Sequence, residues 1–222
     1  GAHARRRARG HREGSDGPNH PASAAPGDGR RTDPERASIL DILRRPGVAS
    51  NMLASMAMLA MIDVLAAFLP LVGEQAGVAP AHVGLLLAAR GAASILSRAL
   101  LPWISYRWPR ERLMVVALAI SGVTLAIPPL IMAHLAPAAA LLAVGGFFLG
   151  IGQPLTMTLI TTAVPISWRS QALAVRLMGN RVGQVGFPLA AGLLAASFGA
   201  GGAIWLTCAV LLGTAAGRAM LR

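Results

Sequence analysis

The sequence predicts an all-α, polytopic membrane protein with six transmembrane helices, and three observations carry that expectation. Hydrophobic residues make up 55% of the 222 residues and charged ones only 13%, with a mean hydropathy of +0.58, a composition outside the usual globular range. The apolar residues collect into six runs of about 20, the length at which a helix crosses the hydrocarbon core. The connections between those runs alternate between Arg-bearing and Arg-free.

Residues 1–36 are rich in Arg, Gly, Pro, Ser and Asp and nearly free of large apolar side chains, so they bury too little surface to offset the entropy of ordering. They are expected to be disordered. The stretch SILDILRR that follows is a short amphipathic segment, with Ile39, Leu40, Ile42 and Leu43 on the headgroup boundary and Arg44 and Arg45 at the phosphates. The expected division is therefore a disordered basic cytoplasmic linker over 1–47, ending in this segment, and a six-helix transmembrane domain over 48–222. The chain opens on Gly1 rather than Met, which leads us to expect a fragment of a longer protein.

The six spans are expected at 48–72, 82–103, 113–133, 137–164, 171–197 and 201–220. Pro80 and Pro137 open the second and fourth, Pro109 breaks the second connection, and Pro165, Trp168 and Arg169 mark an interface at the fourth. RWPRER and ISWRS carry Arg, whereas GEQAGVAPA, HLA and FGAGG do not. With six crossings every Arg-bearing segment falls on one side, which places both termini in the cytoplasm.

The net charge of +11 and pI near 11.8 would suggest nucleic acid in a water-soluble protein. Here all 20 basic residues are Arg, ten of them within the first 45 positions, and the charge reads as positive-inside bias with attraction to anionic membrane lipids; no nucleic-acid partner is expected. The sequence offers no carboxylate pair, no nucleophile with its base, no metal-ligand spacing around Cys208 or the five His, and no phosphate-binding loop. It is expected to be no enzyme and to hold no metal or cofactor.

Polar residues inside apolar spans are costly and mark pathways or helix contacts. Asp63 and Arg90 fall at matching depth on consecutive antiparallel spans, which leaves two readings open: a buried pair that pins two helices, or a titrating carboxylate and an anion-binding guanidinium. Arg90, Ser94 and Arg98 share one face of the second span, with Arg98 expected to snorkel toward the cytoplasmic end. In the fourth span Gly146 and Gly150 are packing residues, and Gln153 beside Pro154 is a binding candidate. In the fifth, QALAVRLMGNRVGQVGFPLAAGLLAAS, the residues Arg176, Asn180 and Gln184 form a stripe, Arg181 is turned about 100° from Asn180, and Gly179 and Gly183 stand at GxxxG spacing. Arg176 is expected to be an interfacial anchor.

The segments GIGQPLTMTLITTAVP and WRSQALAVRLMGNRVGQVGFPLAAG, led into by ILDILRRPGV, resemble the C-terminal half, helices seven to twelve, of the major facilitator superfamily, in its sugar and drug permease branch. SRALLPWISYRWPRERL is similar to the second copy of that family's cytoplasmic loop motif. Arg98 is the second residue of that segment and belongs to the expected loop-motif set, Arg107 and Arg110 match basic positions, and Arg112 stands one place late. Pro102 and Pro109 stand where Gly is usual, Tyr106 where Asp is, and Glu111 where the last Arg is. The resemblance implies two six-helix halves around a central cavity, each built from two inverted three-helix repeats. It further implies secondary active transport of a small solute across a bacterial plasma or inner membrane, with or without a coupling proton, and a missing N-terminal six-helix half as partner. The expected pathway residues are Asp63, Arg90, Gln153, Asn180, Arg181 and Gln184. The competing expectation is a non-transporting six-helix membrane protein whose basic tail binds lipid or a partner.

Overall fold

A computed structural model describes residues 38–220, and among these every regular element is helical; the tail expected to be disordered lies outside the described residues. Helix α1, Ile39–Leu43, begins where the Asp41 carboxylate accepts the Ser38 backbone N–H at 3.3 Å. Its apolar side chains do not share one fate. Ile42 is fully buried among Val48, Met52, Ile160, Val164 and Ala172, while Ile39 and Leu40 are exposed.

Five longer helices follow: α2, Val48–Gln75; α3, Pro80–Arg107; α4, Arg110–Ala126; α5, Leu135–Ala163; and α6, Arg169–Met220. Each is long and apolar enough to cross a membrane, with α4 counted through Leu130. Prolines set several of the limits. Pro80 occupies the first turn of α3, where its missing N–H costs nothing. Pro109 ends that helix by forcing Trp108 into an extended conformation. Pro128 and Pro129 cannot donate to the preceding turn, so α4 stops at Ala126, short of the expected 133, and a single 3-10 turn, Pro128–Leu130, follows it. Helix α5 starts at Leu135, two residues before Pro137, whose ring still falls among the N-terminal positions that need no donor.

The last helix, of 52 residues, would be about 78 Å long if straight, more than twice the hydrocarbon thickness. It is interrupted at Gly199, where φ is 74° and ψ 177°. Hydrogen bonds give the direction of each part. Asn180 meets Ser55 and Gln184 meets Asp63 farther along α2, so the part before Gly199 runs with α2. Arg218 returns to Ser50 and Asn51 at the start of α2. Trp205 donates to the Ala126 carbonyl at the end of α4, and Arg218 pairs with Glu111 at its beginning. The part after Gly199 therefore runs antiparallel to both.

Helix α2 is the axis of the bundle, with Met58, Met61, Val64, Leu65 and Leu69 fully buried. It packs mainly on α6 and α5, while α3 lies along α5 and touches α2 only lightly. Between membrane helices the hydrophobic effect supplies little, and close packing over small residues replaces it. Gly146 and Gly150 show this directly: a Cβ on either would collide with the backbone of Arg90 or Ser94, so α3 rides on the bare surface of α5. Gly179 and Gly183 do less. The space beside them is filled by the Met56 side chain, at 3.4 and 3.3 Å from where a Cβ would sit.

Candidate functional site

Helices α2 and α6 run side by side with polar stripes facing each other. On α2, Asn51, Ser55 and Asp63 recur at multiples of four residues; on α6, Arg176, Asn180 and Gln184 do the same. Two hydrogen-bonded clusters result.

The first lies nearer the starts of α2 and α6. Arg176 is only 7% exposed and donates through Nη2 to the Gln153 carbonyl at 3.3 Å, the Gln153 Oε1 at 2.8 Å and the Thr156 Oγ1 at 3.0 Å. Gln153 Nε2 in turn donates to the Ser55 carbonyl at 3.3 Å, and the Ser55 hydroxyl donates to Asn180 Oδ1 at 3.0 Å. One chain of contacts thus ties α5, α2 and α6 together. Arg176, expected as an interfacial anchor, is instead buried with its guanidinium turned onto α5. It sits about 10 Å from the start of α6 and is held there because its neighbour on α5 offers three acceptor atoms.

The second cluster lies farther along. Arg181 Nη1 donates to Gln184 Oε1 at 2.8 Å, and Gln184 Nε2 donates to Asp63 Oδ2 at 3.1 Å. The amide is aligned with its carbonyl toward the cation and its NH₂ toward the carboxylate, so it bridges opposite charges without bringing them into contact. Asp63 stands about 22 Å from the start of α2 and about 18 Å from its end, near mid-depth. It is half-buried.

Arg90 stands apart from both clusters. Among the described residues no ion pair joins it to Asp63, because the packing of α3 on α5 sets its backbone and Cγ against Gly146. Its Nε is buried without a partner. The matching depth that suggested pairing is therefore not accompanied by adjacency.

Of the loop-motif residues, Arg107, Arg110 and Arg112 are exposed at the end of α3 and the start of α4. Arg98 is not with them. Since α3 continues to Arg107, Arg98 lies about 14 Å before the helix end and lines a cavity of about 460 Å³ together with Gln153 and Arg176. Glu111, which breaks the loop pattern, accepts from Arg218 Nη2 at 2.8 Å, while Arg218 Nη1 reaches Asn51 Oδ1 at 2.8 Å and Ser50 Oγ at 3.2 Å.

Ser55 and Arg218 are not marked by the sequence, although the four-residue recurrence of Asn51, Ser55 and Asp63 is visible there, and Thr156, expected only to bond its own helix, does so to the Gln153 carbonyl and also accepts from Arg176. Thr158, Thr161 and Thr162 bond carbonyls of their own helix, the usual behaviour of hydroxyls in apolar helices. Among the described residues no group of His, Cys, Asp and Glu gathers to hold a metal ion.

Neither a curated protein nor a solved structure matches the chain. The sequence pattern of the Major Facilitator Superfamily matches residues 52–221, which covers both polar clusters, the cavity and all five long helices except the first turn of α2. With that match over most of its length, and with helices of membrane-spanning length and apolarity, the chain is an integral membrane protein and belongs to the Major Facilitator Superfamily, a family of membrane transporters rather than enzymes.

Proposed function

We propose that this chain is the C-terminal six-helix half of a secondary active transporter of the sugar and drug permease branch, moving a small solute across a bacterial inner membrane. The observation that carries this reading is the pair of facing polar stripes, Asn51, Ser55 and Asp63 on α2 and Arg176, Asn180 and Gln184 on α6. Polar groups at this depth are expensive in hydrocarbon and are usually kept where they line a route. In this reading Asp63, which accepts from the Gln184 amide, is the carboxylate proposed to serve a coupling proton. Asn180, Gln153 and Arg181 contribute the rest of the lining, with Arg90 a second cation on α3.

Six crossings are supported by the reversal at Gly199, since Gln184 lies beside Asp63 while Arg218 lies beside Asn51. Cytoplasmic termini are supported by the gathering of Arg at one end: Arg45 over the Trp168 ring at 4.9 Å, Arg218 on Glu111, and Arg107 to Arg112 nearby in sequence. The other half of the cavity belongs to an N-terminal six-helix unit, and membrane lipids surround the rest. The basic segment over 1–47 then serves as the linker between halves.

Accessibility tests the route without knowing the solute. In a Cys208→Ser background, Gln184→Cys is expected to react with a membrane-impermeant thiol reagent in proteoliposomes, and Val182→Cys, 68% exposed on the outer face of the same helix, is expected to be shielded by lipid. Equal protection of both positions overturns the pathway. Asp63→Asn is expected to abolish or reshape the pH dependence of any solute flux.

A further inference from the structure

The cavity between α2, α3, α5 and α6 carries two guanidinium groups and no carboxylate. Arg98, exposed, lines it from α3 and Arg176, buried, from α6, together with Gln153, which is bonded to Arg176. Arg98 has no hydrogen-bond or ion-pair partner among the described residues. Arg176 makes all three of its bonds through Nη2, every one to a neutral acceptor, and its Nε is buried without a partner. Of the four acids within the described helices none lines this cavity: Asp63 accepts from Gln184, Glu111 pairs with Arg218, Asp41 accepts from the Ser38 N–H, and Glu74 lines a separate cavity near the end of α2.

Two cations some 10 to 14 Å inside their helices, Arg98 exposed and Arg176 buried, with no acid in the cavity, carry a cost that on the lenient insertion scale reaches about 2.5 kcal/mol each at mid-depth. An anion between them would remove most of it. Arg is the side chain best suited to a planar or tetrahedral oxyanion, because its fork of N–H donors matches carboxylate and phosphate oxygens. The remaining walls, Leu59, Ile62 and Leu101, are apolar, so the space beside the charges favours carbon over water. At about 460 Å³ the cavity is within the range of small-molecule sites.

We propose that this cavity binds an organic oxyanion, a carboxylate or phosphate attached to a compact apolar group, with Arg98 and Arg176 as the paired cations and Gln153 fixing the orientation of Arg176. This rests on the transporter reading only for its meaning as a substrate class; the site itself stands on the cavity and its charges. The same chemistry is offered by a soluble solute and by the phosphate of a phospholipid headgroup.

Hexyl phosphate is the probe, titrated calorimetrically into the full chain in nanodiscs of phosphatidylcholine, with hexyltrimethylammonium as the cationic control. Saturable binding of the phosphate and none of the ammonium is expected. Arg98→Gln should weaken it by about tenfold or more, the loss that follows removal of one charged hydrogen-bonding group. Arg98 is the decisive variant because it holds no other residue in place, whereas Arg176→Gln also unties Gln153. Phosphatidylglycerol in the disc that abolishes hexyl phosphate binding identifies a lipid headgroup as the natural occupant. Unaltered binding in that disc identifies a solute, and both results uphold the oxyanion site. Equal binding of the two probes, or unchanged affinity in Arg98→Gln, overturns it. Binding without any flux in proteoliposomes would sink the transport reading and leave this site standing.

Discussion

Replacing Gly199 by alanine distinguishes a chain that turns back from one that continues. At φ 74° and ψ 177° the residue occupies a region open essentially to glycine alone, and a Cβ there meets nothing within 4 Å. Any loss of stability in Gly199→Ala is therefore backbone strain, about 1 to 3 kcal/mol. Gly192 supplies the control. It lies in the same helix, is exposed, and likewise has open space at its Cβ, but its backbone is helical, so Gly192→Ala should gain about 1 kcal/mol from the better helix former. The two alanine variants should differ by about 2 to 4 kcal/mol, with opposite signs relative to the parent protein. Reversible unfolding of the full chain by SDS titration in mixed micelles reads this difference. If Gly199→Ala is as stable as Gly192→Ala, the helix does not break there, and the return of Arg218 to the start of α2 is lost with it.

Two other perturbations test the packing and the ion pair at the end of α6. Gly150→Leu drives a side chain into the Ser94 backbone and should cost about 1 to 3 kcal/mol in the same titration, whereas Gly179→Ala, which meets only the Met56 sulfur at 3.4 Å, should stay within about 0.5 kcal/mol of the parent. Where α6 ends beside the start of α4 the two partners of one ion pair are unequal, since Arg218 is 6% exposed and Glu111 56%. Glu111→Ala takes the carboxylate away from a buried guanidinium, while Arg218→Met leaves an acid that water can solvate, so the first should be the more destabilising of the two.

The sequence carries the helical architecture well because apolar runs of the right length are unmistakable, and prolines at 80 and 109 mark limits that the fold respects. It carries the turn after α4 less well. Pro128 and Pro129 were there to be read, but apolarity continues through Ile131 and hides the break. The polar stripe on α6 was legible from the spacing of Arg176, Asn180 and Gln184, because four-residue recurrence fixes a face whatever lies opposite. What lies opposite was not legible. Depth along a helix says nothing about rotation, so Asp63 and Arg90 looked like partners although α3 turns Arg90 toward Gly146. Arg176 looked like an anchor because its distance from the helix start is short; only the three acceptor atoms that Gln153 and Thr156 present explain why it stays inside.

The glycine notches on α5 and the methionines on α2 divide the bundle mechanically. Where α3 meets α5 the backbones touch at Gly146 and Gly150, and two such surfaces move only together. Where α2 meets its neighbours the contact is made by thioethers, Met58 against Gly152 and Met56 against Gly179 and Gly183, side chains that rearrange with little penalty. One face of the cavity is thus a stiff spine and the other a pliable seam. If the cavity widens during a working cycle, spin labels on α3 and α5 should keep their separation while those on α2 and α5 change theirs.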